Sequence, residues 1–204
     1  MIVIIDYGIG NVASVLNMFK KIGVKDVVVS NNKDIIAKGS KIVLPGVGAF
    51  DAGMNNLEHS ELIPLLNQKA LVEKVPFLGI CLGMQLLTKQ SEEGVKKGLG
   101  WINAETVKFN FDITSDIKIP HMGWNFITPK KDHILMQSLP ENPRYYFVHS
   151  YYVKCDIQTD VLATCNYGFD FTCAVQRDNI MGVQFHPEKS HIYGFQLLKN
   201  FSEL

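Results

Sequence analysis

The chain has no excess charge of either sign and no apolar run long enough to cross a bilayer. Lys and Arg total 20, and so do Asp and Glu. Nothing in that balance points to a nucleic-acid or membrane partner. No hydrophobic stretch approaches the roughly 20 residues that a spanning helix needs. The opening MIVIIDYGIGN has neither a basic leader nor a cleavage site, so it reads as a first strand rather than a signal peptide. Cysteine is sparse: Cys81, Cys155, Cys165 and Cys173 are scattered, with no C-x-x-C pair. A zinc site and a disulfide framework are therefore poorly supported. No linker, repeat or low-complexity segment divides the sequence. These absences leave a cytoplasmic protein with one domain over residues 1–204, a length that suits one well-packed core.

What is present is an alternation of strand and helix. MIVIID (1–6), DVVVS (26–30), KIVL (41–44) and VPFLGI (75–80) are short runs of aliphatic residues with little polar alternation. Such runs mark strands buried on both faces, hence a parallel sheet covered by helices. Helical spacing is read in 13–23, with Gly23 as its stop, and in 49–57, 61–74 and 84–94. The second half is richer in strands, at 104–109, 144–153, 161–165, 171–176 and 180–185. A last helix follows over 193–201. The expected architecture is α/β, with a central, mostly parallel sheet and an antiparallel extension.

In open α/β sheets, ligands gather outside the carboxyl ends of the parallel strands. Four candidate strands end in unusual residues: DYGIGN, PGVGAF, CLG and HPE. If those strands are parallel neighbours, the four motifs share one edge. In GICLG, glycines bracket Cys81 at a strand-to-helix junction, the spacing of a nucleophile elbow. The helix N-terminus would favour the thiolate, and the Leu82 N–H would face the same space. Cys81 could equally be a buried strand-end residue. In HPE, Pro187 pushes His186 into an extended conformation, which would set His186 beside Glu188 as imidazole and orienting carboxylate. The alternatives are a solvated loop or, much less favoured, a metal site that adds His191. PGVGAF places two glycines around Val47, a loop able to present backbone N–H groups to an oxyanion. An ordinary turn would look the same. DYGIGN lacks the third glycine of a dinucleotide fingerprint, since Ala13 stands there, and no acidic residue ends the second strand. It is read as a packing turn with close helix approach.

GICLGMQLL together with GVQFHPEKS resembles the class I glutamine amidotransferases, which release ammonia from glutamine with a Cys-His-Glu triad. The order and spacing of DYGIGN, LPGVGAFDAGM, PHMGWN (120–125), YFVHSYY (146–152) and HPEKS resemble, within that family, the glutaminase subunits of imidazole glycerol phosphate synthases. The resemblance implies a flavodoxin-like three-layer sandwich. It implies Cys81 as nucleophile, His186 as proton shuttle and Glu188 as the group that holds His186. It places the backbones of Val47 and Leu82 in an oxyanion hole, and Gly48, Gln85, Ser150 and Tyr151 around glutamine, with Tyr146 and His149 close by. Trp124 and Lys189 would lie toward a partner, a (β/α)₈-barrel cyclase joined in a heterodimer. That cyclase receives the ammonia and makes imidazole glycerol phosphate and aminoimidazole carboxamide ribonucleotide in histidine biosynthesis. No cofactor or metal is implied for the glutaminase. Departures from the pattern are Trp101 with the polar stretch FNFDITSDIKI after it, and His191 where glutamine is expected.

Three alternatives stay open. A paralogous glutaminase could feed another synthetase, such as one building amidino groups on surface sugars. A cysteine hydrolase or stress protein of similar topology would need neither HPE nor the PGVG loop. A catalytically silent binding subunit would keep the fold alone, and the intact Cys81, His186 and Glu188 argue against it.

Overall fold

The computed structural model describes residues 1–112 and 116–204. Residues 113–115, within the polar stretch FNFDITSDIKI, lie outside the described residues. The strands, in chain order, are β1 (Ile2–Ile5), β2 (Val27–Ser30), β3 (Lys41–Gly46), β4 (Phe77–Cys81), β5 (Ala104–Lys108), β6 (His121–Pro129), β7 (Arg144–His149), β8 (Tyr151–Cys155), β9 (Val161–Asn166), β10 (Asp170–Arg177) and β11 (Ile180–Val183). The helices are α1 (Val12–Lys21), α2 (Lys33–Ala37), α3 (Phe50–His59), α4 (Ile63–Asn67), α5 (Leu82–Leu86) and α6 (His191–Glu203). α4 runs on into a wider π-type turn, Gln68–Val72.

The strands β2-β1-β3-β4-β11 form the parallel half of the sheet, in that order. β10, β9, β6 and β7 continue it antiparallel, and β5 and β8 branch off through β10. β1, β4 and β11 are buried along their whole length, as their unbroken aliphatic sequences require. Alternate residues of one strand feed opposite sides. Ile2 and Ile4 pack with Val15, Phe19, Leu197 and Phe201 of α1 and α6. Val3 and Ile5 pack with Phe50, Met54, Leu57 and Leu66 of α3 and α4. Helices therefore cover both faces, giving three layers.

Gly23 ends the first helix with φ +87°. At Gly10, with φ +112°, a Cβ would lie 2.9 Å from the Pro45 carbonyl oxygen. DYGIGN is thus a turn that packs tightly, here against the end of β3.

Four readings from sequence are corrected. The helix expected over 84–94 ends at Leu86, because the next residues pair with distant backbone. Lys89 N–H donates to the Ala104 carbonyl at 3.0 Å, and Ser91 bridges to Thr106. The single strand expected over 144–153 breaks at Ser150, where β7 leaves its pairing with β6 and β8 takes up β5 and β10. β3 does not close at Leu44 but runs through Pro45 and Gly46, paired to Ile80 and Cys81. β11 stops at Val183, short of Phe185. Two elements were not anticipated. α2 starts at Asn32, whose side chain accepts from Asp34 and Ile35 N–H, a cap legible in NNKD. β6 carries the PHMGWN motif, and its mixed apolar and polar order hides a strand half open to solvent.

The rings of Phe19 and Phe201 join α1 to α6 at 6.5 Å, both fully buried. Phe19→Ala should lower unfolding free energy by about 3–5 kcal/mol in urea titration. A loss below about 1 kcal/mol would mean that α1 and α6 are not coupled through this contact.

Candidate active site

Three stretches of backbone meet at the end of β4, where there is no room for side chains. A Cβ on Gly79 would lie 2.6 Å from the Gly83 carbonyl oxygen, and one on Gly83 would lie 1.8 Å from that of Leu44. Between these glycines the chain passes from strand to helix at Cys81, with φ 55° and ψ −113°. That region costs a non-glycine residue free energy and persists only where the surroundings enforce it. It is the strained turn of a nucleophile elbow. α5 is five residues long, so the helix-dipole effect expected from a longer helix shrinks to the N–H groups of one turn.

β11 delivers the second group. After Val183 the chain reaches His186, whose backbone is extended at φ −101° and ψ 96°. Pro187–Lys189 then form a short 3₁₀ turn. Glu188 therefore reaches His186 by a turn, not along a continuing extended segment, because proline's fixed φ suits the start of a turn. His186 Nδ1 and Glu188 Oε1 are 2.8 Å apart, and both side chains are 2% exposed. β7 clamps the segment: His186 N–H donates to the Tyr146 carbonyl, and Ser190 Oγ accepts from Tyr146 N–H and donates to the His186 carbonyl.

Burial works against a charged His186. Contacts with Cys81 and Glu188 outweigh it and raise its pKa from 6.5 to about 10. Of those raising contacts the Cys81 sulfur comes first, as a hydrogen-bond acceptor and then as a charge, although the buried His186 Nε2 meets no partner at full hydrogen-bond geometry. The site thus favours an imidazolium beside the sulfur.

Cys81 and His186 share a cavity of about 290 Å³, a size that suits a free amino acid rather than a larger ligand. Val47, Gly48, Leu82, Gln85, Ser150 and Tyr151 line it as well. Glu188 reaches the site only through His186, and Tyr146 does not line the cavity. The Gln85 amide nitrogen is engaged by the Tyr151 carbonyl at 3.3 Å and Gln184 Oε1 at 3.0 Å, which leaves its carbonyl oxygen for a ligand.

His149 also lines the cavity and is held neutral, its pKa pushed down to about 3 mainly by burial. Its partner His121 falls to about 4 for the same reason. Their tautomers follow from the network. His149 Nδ1–H donates to the Tyr151 carbonyl at 2.7 Å, so its Nε2 accepts from His121 Nδ1–H at 3.0 Å. His121 Nε2 then accepts from Asn125, 3.4 Å away.

Two residues escaped the reading of the sequence. Gln184 is wholly buried, and its amide nitrogen lies 3.8 Å from Cys81 Sγ. Its place two residues before His186 was a signal. Glu93 puts a carboxylate on the cavity wall, where its Oε2 accepts from Phe50 N–H at 2.8 Å. It was hidden inside the helix expected over 84–94.

Trp124 and Lys189 do not line the cavity; Trp124 lines a separate cleft with Arg144, His191, Ile192 and Tyr193. Trp124 is 43% exposed, stacks on His191 and approaches Tyr146. Lys189 Nζ sits 5.6 Å from the Tyr146 ring. Met122 and Phe126 flank Trp124 on the same face of β6 and are also exposed. Among the described residues, no group of three or more His, Cys, Asp or Glu could hold a metal. All four cysteines are free. Among the described residues, no helix is long and apolar enough to cross a membrane.

A strained, positive-φ cysteine beside a buried His–Glu pair, at the strand ends of a three-layer α/β sheet, is a geometry suited to cysteine-dependent acyl transfer. The family description "Glutamine amidotransferase class-I" matches residues 3–203, and the chain belongs to that family. Among its relatives is "Imidazole glycerol phosphate synthase subunit HisH 2" of Methanococcus maripaludis, 55% identical over 98% of both chains. The protein of the same description from Pseudomonas aeruginosa is 50% identical over the full length of both. The HisH subunit of Leptospira interrogans is 46% identical, again end to end. A solved glutamine amidotransferase, 16% identical, superposes with a TM-score of 0.73 over 98% of this chain and 97% of its own. PurLQS from Thermotoga maritima gives 0.72 at 16% identity over 99% and 97%. Both share the fold.

A histidine that holds its proton more tightly folded than unfolded stabilises the fold fully below its unfolded pKa and loses that contribution as pH rises through the folded one. For His186 the window runs from about 6.5 to about 10. Stability by chemical denaturation should fall across that window, and Glu188→Gln should flatten the fall. An unchanged slope in the variant would show that Glu188 does not hold the His186 proton.

Proposed function

We propose that the chain is the glutaminase subunit of an imidazole glycerol phosphate synthase, and that Cys81, His186 and Glu188 are its catalytic triad. The observation that carries the reading is the convergence of the Cys81 sulfur and the charged His186–Glu188 pair on one amino-acid-sized cavity.

The Cys81 thiolate attacks the side-chain amide carbon of glutamine, forming an S–C bond. The carbonyl oxygen becomes an oxyanion held by the N–H groups of Val47 and Leu82. His186, protonated and held by Glu188, gives its proton to the departing nitrogen, and the C–N bond breaks to release ammonia. Neutral His186 then takes a proton from water as the water attacks the thioester, which yields glutamate and restores the thiolate. The Glu93 carboxylate suits the α-ammonium group of glutamine. Gly48, the Gln85 carbonyl oxygen, Ser150 and Tyr151 complete the binding of the amino acid.

Ammonia in water is lost as ammonium, so a glutaminase is useful only when joined to its acceptor. The exposed Met122, Trp124 and Phe126 of β6, with Arg144 over the Trp124 ring and Lys189 over the Tyr146 ring, form an apolar and basic surface. It suits a barrel cyclase docked over the pocket mouth in a heterodimer, in the cytoplasm. One observation favours a second reading: the Methanococcus and Pseudomonas relatives, at 55% and 50% identity, both carry the number 2 in their names. In that reading the same glutaminase feeds a synthetase of another pathway.

Glutamate release should rise strongly when the histidine-pathway cyclase and its nucleotide substrate are added. No rise, from a chain whose Cys81 still reacts with a chloroketone analogue of glutamine, would assign the glutaminase to the other pathway. Cys81→Ala should lower glutamine-dependent synthesis by about 10⁴-fold or more, while synthesis from added ammonia persists. Glutamine use surviving in that variant would end the proposed mechanism.

A further inference from the structure

Buried polar side chains are nearly always hydrogen-bonded, so those that are not carry information. Among the described residues, four buried side-chain atoms lack a partner: Tyr7 Oη, Asp160 Oδ2, His186 Nε2 and Glu188 Oε2. Two of them belong to the triad proposed above. Tyr7 Oη is the one next to that triad without a role in it.

Tyr7 follows β1 in DYGIGN and is 4% exposed. Its backbone is fastened, since its carbonyl accepts from Asn56 Nδ2 at 3.0 Å. Its ring packs in the core beneath α3 and α5, with Leu44, Met54 and Leu82. Tyr145 and Tyr167, by contrast, spend their hydroxyls on the Tyr193 and Lys118 carbonyls. The Tyr7 hydroxyl lies against Gly46, where a Cβ would meet it at 2.6 Å, so only glycine leaves it space. Gly46 pairs with Cys81 across β3 and β4. Burial first, and the negative charge of Cys81 second, push the Tyr7 pKa far up. The hydroxyl therefore stays protonated and is a donor.

Val47 and Gly48 line the cavity, whereas Gly46 and Tyr7 do not, and the Tyr7 hydroxyl stands against Gly46. The N–H and C=O of one trans peptide point in opposite directions. When the Val47 N–H turns into the cavity toward an oxyanion, the Gly46 carbonyl turns away from it, to the side where Tyr7 waits. We propose that Tyr7 is a positioning residue for the oxyanion peptide: in the reactive arrangement its hydroxyl donates to the Gly46 carbonyl and holds the Val47 N–H toward the tetrahedral intermediate. The inference rests on the assignment of Val47 to the oxyanion hole. The orphaned donor destabilises the resting arrangement and is satisfied in the reactive one, so it biases the peptide toward reaction.

Tyr7→Phe removes the hydroxyl and keeps the ring. In the complex with the cyclase, kcat for glutamate release should fall about tenfold, with KM for glutamine unchanged. Iodoacetamide alkylation of Cys81 develops no oxyanion, so its rate, followed by peptide mass spectrometry, should not change. The free variant should melt a few degrees higher than the parent, because an unpaired buried hydroxyl has gone. A variant with parental kcat, or one that melts lower, overturns the proposal. Failure of the underlying reading looks different: the parent itself then releases no glutamate although its Cys81 is alkylated, and the Tyr7 proposal falls with it.

Discussion

The close approach of the Gly83 backbone to the Leu44 carbonyl is the constraint on which the site depends. At that point even one methyl group would collide with main chain, so α5 can start directly under β3. The contact forces Cys81 into its positive-φ turn. It also brings the Leu82 N–H beside the sulfur and sets Gln85, one turn on, at the cavity wall. The strain at Cys81 sits at the end of β4, which is buried along its length and paired on both sides, with β3 and with β11. The free energy that holds Cys81 in an unfavourable conformation therefore comes from the buried centre of the sheet.

Charge is arranged around that cysteine by contrast. His186 is pulled toward its charged form by Cys81 and Glu188, while His149 and His121 are driven to the neutral form by burial. Two kinds of histidine thus stand near one cavity and do different work. One is held toward its charged form, and the other pair, neutral and locked in single tautomers, fixes the Tyr151 carbonyl. The separation is the usual physical route to acid–base assignment in a compact site.

Much of this was legible in the amino-acid order. Unbroken aliphatic runs identified the buried parallel strands, and the residues ending β1, β3, β4 and β11 do gather on one edge, because those four strands are neighbours. Local chemistry at G-I-C-L-G and H-P-E pointed to the elbow and the pair. What was illegible depends on distant pairing. The segment after Leu86 has helical spacing, yet Ala104 and Thr106 capture its backbone, and Glu93 reaches the cavity only through that diversion. Ser150 separates two strands because its neighbours pair with different partners, a fact no local pattern contains. β6 escaped notice since its outer face carries Met122, Trp124 and Phe126, which resemble core residues in sequence and are exposed in the fold.

β11 is the last strand in the chain and lies in the middle of the sheet, between β4 and β10. During synthesis, the β2-β1-β3-β4 half emerges about a hundred residues before the strand that covers its open edge. Until Ile180–Val183 insert, β4 presents unpaired backbone of the kind that invites mispairing between nascent chains. The long sequence separation of the β4–β11 pairing also makes the closing step slow relative to helix formation. His186 and Glu188 follow that same strand's end, so closing the sheet and bringing this pair to the Cys81 cavity are one event. A ribosome-bound fragment can carry the cysteine but not the pair that faces it.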